Sequence, residues 1–193
     1  MLTFISGGVR SGKSAYAEKR LVEQANSSGG RLIYIASGQA TDDEMRERIA
    51  KHRHDRADAG WLTFEQPIVI AELLPHIQPG DYVLWDCLTT WLANEMYTTN
   101  QDGIFCVNVP GCMERKCSEV VAAVENMREI ATHVTIVSNE VLDELPSPYE
   151  ETKRYSQLLG DLHCKFVQIA DNAIEMDYGF AIEWKKEGQV CVQ

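Results

Sequence analysis

The sequence lacks the features of a membrane-bound or secreted protein. No apolar run is long enough to span a bilayer, and the first residues, MLTFISGG, lack the charged segment that opens a signal peptide. Basic residues are also few, since 18 Lys and Arg stand against 29 Asp and Glu, for a formal net charge of −11. This balance argues against a nucleic-acid partner, because proteins that bind nucleic acid usually carry a basic face. We expect a cytoplasmic protein.

The six cysteines lack the close spacing of a structural zinc site. Cys106, Cys112 and Cys117 lie nearest together, with five and four residues between them, whereas zinc ligands commonly follow a C-x2-C pattern. Thiols in a cytoplasmic chain are normally reduced. We therefore expect these three cysteines to be reduced thiols in a loop, without a bound metal.

Internal repeats and low-complexity linkers are absent as well, so we expect one domain over residues 1–193. Short apolar runs, typical of buried strands, alternate with segments of helical periodicity. This alternation predicts an α/β fold with a mostly parallel sheet and helices on both faces. We expect strands at 2–6, 31–37, 61–67, 81–86 and 133–141, helices at 14–26, 41–56, 68–77, 87–96, 113–131 and 152–173, a loop at 98–112, and β-like pieces at 174–185.

The clearest motif is GGVRSGKS at residues 7–14, which fits G-x-x-x-x-G-K-[ST] at every fixed position. Its glycines let successive amide N–H groups point at phosphate oxygens, and the helix that follows adds its positive N-terminal end. In this motif the lysine reaches the β- and γ-phosphates and the serine hydroxyl binds Mg²⁺. The predicted phosphate-binding residues are Gly7, Gly8, Val9, Arg10, Ser11, Gly12, Lys13 and Ser14, with Lys13 also catalytic.

A phosphoryl-transfer site of this kind needs a second acid near the metal. The predicted strand that contains VLWD ends at Asp86. We expect Asp86 and Ser14 to hold Mg²⁺ together. Asp86 is also suited to cap the helix that follows it, and the two roles are compatible.

Four further stretches follow this loop in order. They are YIASGQATDDEMRERIAKHRHDR, WLTFEQP, LWDCLTTWLANEM and VTIVSNEV, and the loop itself extends to GGVRSGKSAYAE. Together they resemble the bifunctional adenosylcobinamide kinase / adenosylcobinamide-phosphate guanylyltransferase family of cobalamin biosynthesis. The resemblance covers residues 2–141 and is far more specific than the phosphate-binding loop alone.

This resemblance implies a three-layer P-loop NTPase fold of the RecA-like type and two reactions that use ATP and GTP. A kinase step phosphorylates the aminopropanol hydroxyl of adenosylcobinamide. A guanylyl step attaches GMP from GTP to a histidine, and adenosylcobinamide phosphate then takes up the GMP. The resemblance also implies a homo-oligomer, typically a trimer. No motif in the sequence decides between ATP and GTP in the kinase step.

The candidate for the guanylylated histidine lies in KHRHDR. His52 fits the family pattern R-I-x-x-H, although family members can carry a histidine one position earlier, where this chain has Lys51. His54 is the second candidate. Lys51, Arg53 and Arg56 would attract phosphates and would favour the neutral, nucleophilic form of a neighbouring imidazole. The alternative is that these side chains are solvated at the C-terminal end of a helix, where the helix dipole stabilises positive charge, and that they bind no ligand.

Two acids in the matching stretches complete the candidate nucleotide site. Glu65 lies in WLTFEQP, and Glu140 in SNEV is placed to position the metal or a water. Trp61 and Trp91 are expected to be core residues, because tryptophan is more often buried than a ligand contact.

The resemblance weakens over residues 142–163. LDELP replaces a glycine-rich turn of the family, and in KRYSQLLGDLH the family's Arg, Arg-Asp and Asn are replaced by Lys153, Ser156-Gln157 and His163, while Tyr155 and Gly160 match. Lysine lacks the bidentate geometry of arginine. An alternative function is therefore a single-function P-loop kinase that acts on another small alcohol. A non-catalytic nucleotide-binding protein is a poorer match, because Lys13, Ser14 and Asp86 are all present.

Overall fold

A computed structural model of the protein describes residues 1–39, 56, 59–142 and 147–191. The helix predicted over 41–56 therefore lies outside the described residues, apart from Arg56. Among the residues described, no helix combines the length and the apolar character needed to cross a membrane.

One eight-stranded sheet runs through the structure, in the order β3-β2-β4-β5-β1-β6-β7-β8. The first six strands pair in parallel, and β7 and β8 extend the sheet antiparallel. The predicted mostly parallel sheet is thus confirmed. The strands are β1 (Leu2–Gly7), β2 (Leu32–Ala36), β3 (Trp61–Glu65), β4 (Tyr82–Asp86), β5 (His133–Asn139), β6 (Asn172–Asp177), β7 (Phe180–Lys186) and β8 (Gln189–Val190).

Four α-helices are described: α1 (Lys13–Ser28), α2 (Leu88–Met96), α3 (Cys112–Ile130) and α4 (Glu150–Ile169). Each matches a predicted helix to within a few residues. The helix predicted at 68–77 is instead a 3₁₀ helix over Ile70–His76. Pro75 lies within it and disfavours an α-helix, because the proline ring clashes with the carbonyl four residues earlier in that conformation.

The helices cover both faces of the sheet. α1 packs through Ala17 and Leu21 on the face that presents Ile5, Tyr34 and Leu84. On the opposite face, α2, α3 and α4 enclose a larger core, which contains Phe4, Ile33, Trp85, Trp91, Ile136 and Phe166. Trp61 and Trp91 are both buried, which confirms their expected place in the core.

The loop at 98–112 corrects one expectation. It contains a short 3₁₀ helix, Cys106–Asn108, and Cys106 forms a disulfide with Cys112, the first residue of α3. The two Cα atoms are 5.5 Å apart. Both thiols were expected to be reduced, and sequence spacing gave no sign that the chain turns back on itself here. Cys117, in α3, is a free thiol as expected.

Two buried histidines make the stability of the fold depend on pH. His163 Nε2 lies 2.7 Å from Ser138 Oγ, and His133 Nε2 lies 2.8 Å from Thr3 Oγ1. Burial lowers the pKa of each imidazole to about 4. In the unfolded chain the histidines take up protons near pH 6.5, whereas in the folded state these two imidazoles take up protons only at lower pH.

We expect the free energy of unfolding to fall as pH drops from 6.5 towards 4, by about 2 kcal/mol per histidine at pH 5. His163→Asn should remove about half of this loss, because His133 remains. Urea unfolding at pH 7.5 and pH 5 would measure this loss in the free energy of unfolding for the wild type and the variant. His76→Asn, at an exposed position, is the matched control and should keep the wild-type dependence; an equally steep loss in His163→Asn would contradict this account.

Candidate functional site

The loop between β1 and α1 is shaped for an anion. Gly12 caps α1 with a left-handed backbone, at φ 89°, and Arg10 also has positive φ, at 62°. The Ser11 amide donates to the Gly8 carbonyl at 3.2 Å, which closes the loop. A Cβ on Gly7 would collide with the Met176 carbonyl, so this position requires glycine. The loop thus holds the helix N-terminus open towards a phosphate.

Lys13 lies within this loop. Its Nζ donates to the Gly8 carbonyl at 3.0 Å, and the side chain is largely buried. Burial lowers the pKa of Lys13, and the negative charge of Asp86 opposes that shift. An ammonium that is held against the loop backbone and near a carboxylate is placed to neutralise a bound phosphate chain.

The remaining loop residues differ in exposure. Val9 and Arg10 are exposed, Ser14 is half-buried, and Ser11 is buried. The Ser11 hydroxyl has no hydrogen-bond partner within the described part of the chain. A buried hydroxyl of this kind is suited to bind a ligand oxygen.

Asp86 belongs to a chain of contacts that the sequence did not reveal. The Tyr34 hydroxyl donates to Asp86 Oδ2 at 2.8 Å, and the Arg56 guanidinium lies over the Tyr34 ring, with Cζ 3.9 Å from its centroid. In the pairing of β2 with β4, Tyr34 is opposite Leu84 and Ala36 is opposite Asp86. Residues two apart on a strand point to the same face of the sheet, so the side chains of Tyr34 and Asp86 both lie on the side of α1. Burial, reinforced by Asp86, raises the pKa of Tyr34, so this phenol stays a hydrogen-bond donor.

Glu18, on α1, adds a second acid to this group. Burial raises the pKa of Glu18, with Arg56 opposing the shift and Asp86 reinforcing it. Sequence reasoning missed both Glu18 and Tyr34. Both residues lie in stretches that match the family pattern, GGVRSGKSAYAE and YIAS. Nothing in these stretches, however, indicates that β2 lies beside β4 in the sheet.

The residues present fit a magnesium site of the water-rich kind. Ser14 and Asp86 offer a hydroxyl and a carboxylate, which are hard oxygen ligands. The described residues contain no group of three or more acidic, histidine or cysteine side chains that could enclose a metal by themselves. Mg²⁺ in phosphoryl-transfer sites commonly takes one or two protein oxygens and completes its shell with water and phosphate.

The two other predicted acids occupy different places. The Glu140 amide donates to the Gly7 carbonyl at 2.8 Å, and its Oε1 accepts from the Leu142 amide at 2.7 Å, so Glu140 shapes the turn after β5. Glu65 ends the edge strand β3 and is four strand spacings from β1, about 19 Å. The sheet therefore keeps Glu65 apart from the phosphate loop. His52, His54, Lys51 and Arg53 lie outside the described residues.

A polar network continues from Asp86 into α2. Asn139 Nδ2 donates to Thr89 Oγ1 at 2.9 Å, and Thr89 Oγ1 lies 3.0 Å from Cys87 Sγ. The Tyr155 hydroxyl donates to the Thr89 carbonyl at 3.1 Å, which ties α4 to α2. Beside this junction is a cleft of about 540 Å³, whose lining includes Met96, Tyr97, Tyr149, Glu150, Glu151 and Tyr155.

The chain is similar to proteins of cobalamin biosynthesis along most of its length. The model of the family described as cobinamide kinase / cobinamide phosphate guanyltransferase matches residues 3–184. The bifunctional adenosylcobalamin biosynthesis protein CobP of Pseudomonas aeruginosa is 36% identical over 164 residues, which cover 84% of this chain and 85% of that protein. The corresponding CobU of Salmonella typhimurium is 26% identical over 196 residues, covering 96% and 100%.

Among solved structures, the flagellar accessory protein FlaH from Methanocaldococcus jannaschii has a similar fold. The TM-score is 0.51 with 12% sequence identity, over 96% of this chain and 78% of FlaH. At this identity the likeness concerns the fold alone.

We predict that Tyr34→Phe weakens metal binding at Asp86. The variant keeps the ring beneath Arg56 but loses the hydrogen bond that orients the carboxylate, a contact worth about 1 kcal/mol, or about fivefold. Paramagnetic resonance titration of Mn²⁺ in the presence of saturating nucleotide would measure the change. Tyr82→Phe is the matched control, because it removes a hydroxyl of the same strand that accepts a hydrogen bond from Ser28 Oγ at 2.9 Å and not from the Asp86 group. Equal Mn²⁺ affinity in Tyr34→Phe and wild type would contradict the assigned role.

Proposed function

Because this chain belongs to the cobinamide kinase / cobinamide phosphate guanyltransferase family, we propose that it carries out both reactions in the family's description. It phosphorylates adenosylcobinamide with a nucleoside triphosphate and then transfers GMP from GTP to the product, which yields adenosylcobinamide-GDP. The observation that carries this proposal is the closed phosphate loop, with Lys13 held against the Gly8 carbonyl and electrostatically coupled to Asp86.

In the kinase step, the acceptor hydroxyl attacks the γ-phosphorus, a new O–P bond forms, and the bond to the β-phosphate oxygen breaks to release the nucleoside diphosphate. The loop amides and Lys13 hold the phosphates and stabilise the charge that develops on them. Ser14 and Asp86 would hold Mg²⁺. Bound there, the metal would supply positive charge that offsets the charge of the phosphates.

In the guanylyl step, a neutral imidazole nitrogen of His52 attacks the α-phosphorus of GTP. An N–P bond forms, the bond between the α- and β-phosphates breaks, and pyrophosphate leaves. A phosphate oxygen of adenosylcobinamide phosphate then attacks the same phosphorus, and the N–P bond breaks to restore the histidine. The imidazole is a suitable carrier because its phosphoramidate is a reactive donor.

The position of Arg56 supports a shared site for the two steps. Arg56 lies over Tyr34, whose hydroxyl binds Asp86, so the end of the basic segment is next to the metal carboxylate. His52 is four residues before Arg56, and four residues span at most about 14 Å of chain. Lys51, Arg53 and Arg56 would place positive charge around a triphosphate there.

The cleft beside α2 and α4 is the proposed place for the acceptor. Tyr97, Tyr149 and Tyr155 offer apolar ring surface together with hydroxyl groups, which suits a large substrate with many amide groups. Tyr155 connects this cleft to the Asp86 end of α2 through Thr89. We also propose a cytoplasmic homotrimer, in keeping with the family resemblance.

We predict that His52→Ala abolishes covalent labelling of the protein by α-labelled GTP and Mg²⁺, because the nucleophile is lost. Phosphorylation of adenosylcobinamide by γ-labelled triphosphate should persist. The label on the wild type should be acid-labile, as a phosphoramidate is. A wild-type protein that remains unlabelled would contradict the guanylyl half of the proposal.

His54→Ala is the matched control for this experiment and should keep the label. Lys13→Ala should lose both activities, because both steps depend on the same phosphate loop. If His54→Ala alone loses the label, the carrier is His54 instead. Turnover of another small alcohol, without phosphorylation of adenosylcobinamide, would favour the single-function kinase.

A further inference from the structure

The turn between β6 and β7 has an unusual residue at its tip. Asp177 pairs with Phe180, so Tyr178 and Gly179 form a two-residue hairpin turn, and their φ values are 46° and 86°. Positive φ at both positions defines a type I′ turn, in which asparagine, aspartate or glycine usually comes first. A bulky side chain is sterically strained in the left-handed region, because its Cβ comes close to the following carbonyl oxygen. The turn therefore holds a tyrosine at an energetic cost.

The next hairpin provides an internal comparison. The turn between β7 and β8 has the same form, with Glu187 at φ 48° and Gly188 at φ 81°. Its first residue is polar, as expected for an exposed turn. At the β6–β7 turn, by contrast, Tyr178 is 90% exposed and the adjacent Phe180 is 76% exposed. Neither ring gains appreciable burial from the described fold, so packing does not explain the aromatic residues.

The β6–β7 turn touches the phosphate loop directly. The Gly179 amide donates to the Ser11 carbonyl at 3.1 Å, and a Cβ built on Gly12 would lie 3.7 Å from Gly179 Cα. This contact follows from topology, because β6 runs parallel to β1 and both strands end at the same edge of the sheet. Tyr178 is therefore fixed beside the residues that hold the phosphates.

The sheet order gives the two sides of the phosphate loop different roles. β5 and β4, which ends at Asp86, lie on one side of β1, and β6 and β7 lie on the other. Asp86 serves the γ-phosphate end of the nucleotide in the proposed function. The nucleoside end must then leave the loop on the opposite side, towards the β6–β7 turn.

We propose that Tyr178 is the stacking platform for the base of the nucleotide bound at the phosphate loop, with Phe180 beside it. This inference rests on the proposed function in placing a nucleoside triphosphate at that loop with its γ-phosphate on the side of Asp86. Stacking on an aromatic face tolerates any base, since every base has a π-face. One platform can therefore serve both ATP and GTP, which agrees with the absence of a base-reading motif in the sequence.

Calorimetric titration with GTP, ATP and inorganic triphosphate, each with Mg²⁺, tests the assignment without any turnover. Tyr178→Asn should weaken the binding of both nucleotides by about 5- to 150-fold, the range for loss of one stacked base. Inorganic triphosphate has no base, so its affinity should stay at the wild-type value. Asparagine suits the left-handed position, so the variant should fold, and Tyr178→Phe should restore nucleotide affinity.

Glu187→Asn, in the equivalent turn between β7 and β8, is the matched control and should bind all three ligands like wild type. Unchanged GTP affinity in Tyr178→Asn would overturn the inference, as would an equal loss of inorganic triphosphate binding. A change in molecular mass by light scattering, with unchanged GTP affinity, would assign the tyrosine to contact with a second copy and would also overturn it. A protein that shows the expected binding pattern but transfers no GMP would contradict the proposed function alone.

Discussion

The parallel alignment of β1, β4, β5 and β6 is the constraint on which the site depends. Parallel strands end on the same side of a sheet, so the phosphate loop after β1, Asp86 at the end of β4 and the turn after β6 lie on that side despite their separation in the sequence. Because both faces of β1, β4 and β5 are buried, a shift of one residue in any of these strands would move its side chains into the core on the opposite face. The same packing that stabilises the fold therefore fixes Tyr34 and Asp86 on the side of α1.

The phosphate loop presents positive charge, although the chain as a whole is negatively charged. The protein carries a formal net charge of −11, yet the phosphate loop combines a helix N-terminus with the buried ammonium of Lys13. Arg56 adds a guanidinium over Tyr34. A nucleotide responds to the field at short range, because salt screens exposed charges beyond about 10 Å. The acidic surface elsewhere is thus compatible with an anion site, and it limits nonspecific attraction of other polyanions.

The two sides of β1 carry different parts of the proposed chemistry. The β4–β5 side holds the carboxylate, the hydroxyl network around Thr89 and the cleft beside α4. The β6–β7 side holds an exposed aromatic turn anchored to Ser11. The phosphate loop lies between them, so a bound triphosphate would bridge the reacting end and the base end. α4, which includes much of the segment where the family resemblance weakens, lies on the first of these sides, where we propose that the acceptor binds.

The sequence by itself determined the family and the fold class, and both are confirmed. Periodicity and fixed motif positions are local properties, so they can be read without the fold. The expectation that Cys106 and Cys112 are reduced was wrong, and the helix expected at 68–77 is a 3₁₀ helix over Ile70–His76. The roles of His52 and the other site residues stay predictions. Only the tertiary structure decided that Tyr34 binds Asp86, that Arg56 covers Tyr34, that Glu65 lies at the far edge and that Tyr178 adjoins the phosphate loop. The contact of Tyr34 with Asp86 and the positions of Glu65 and Tyr178 follow from strand order, which depends on how distant segments pair and cannot be read from a local pattern.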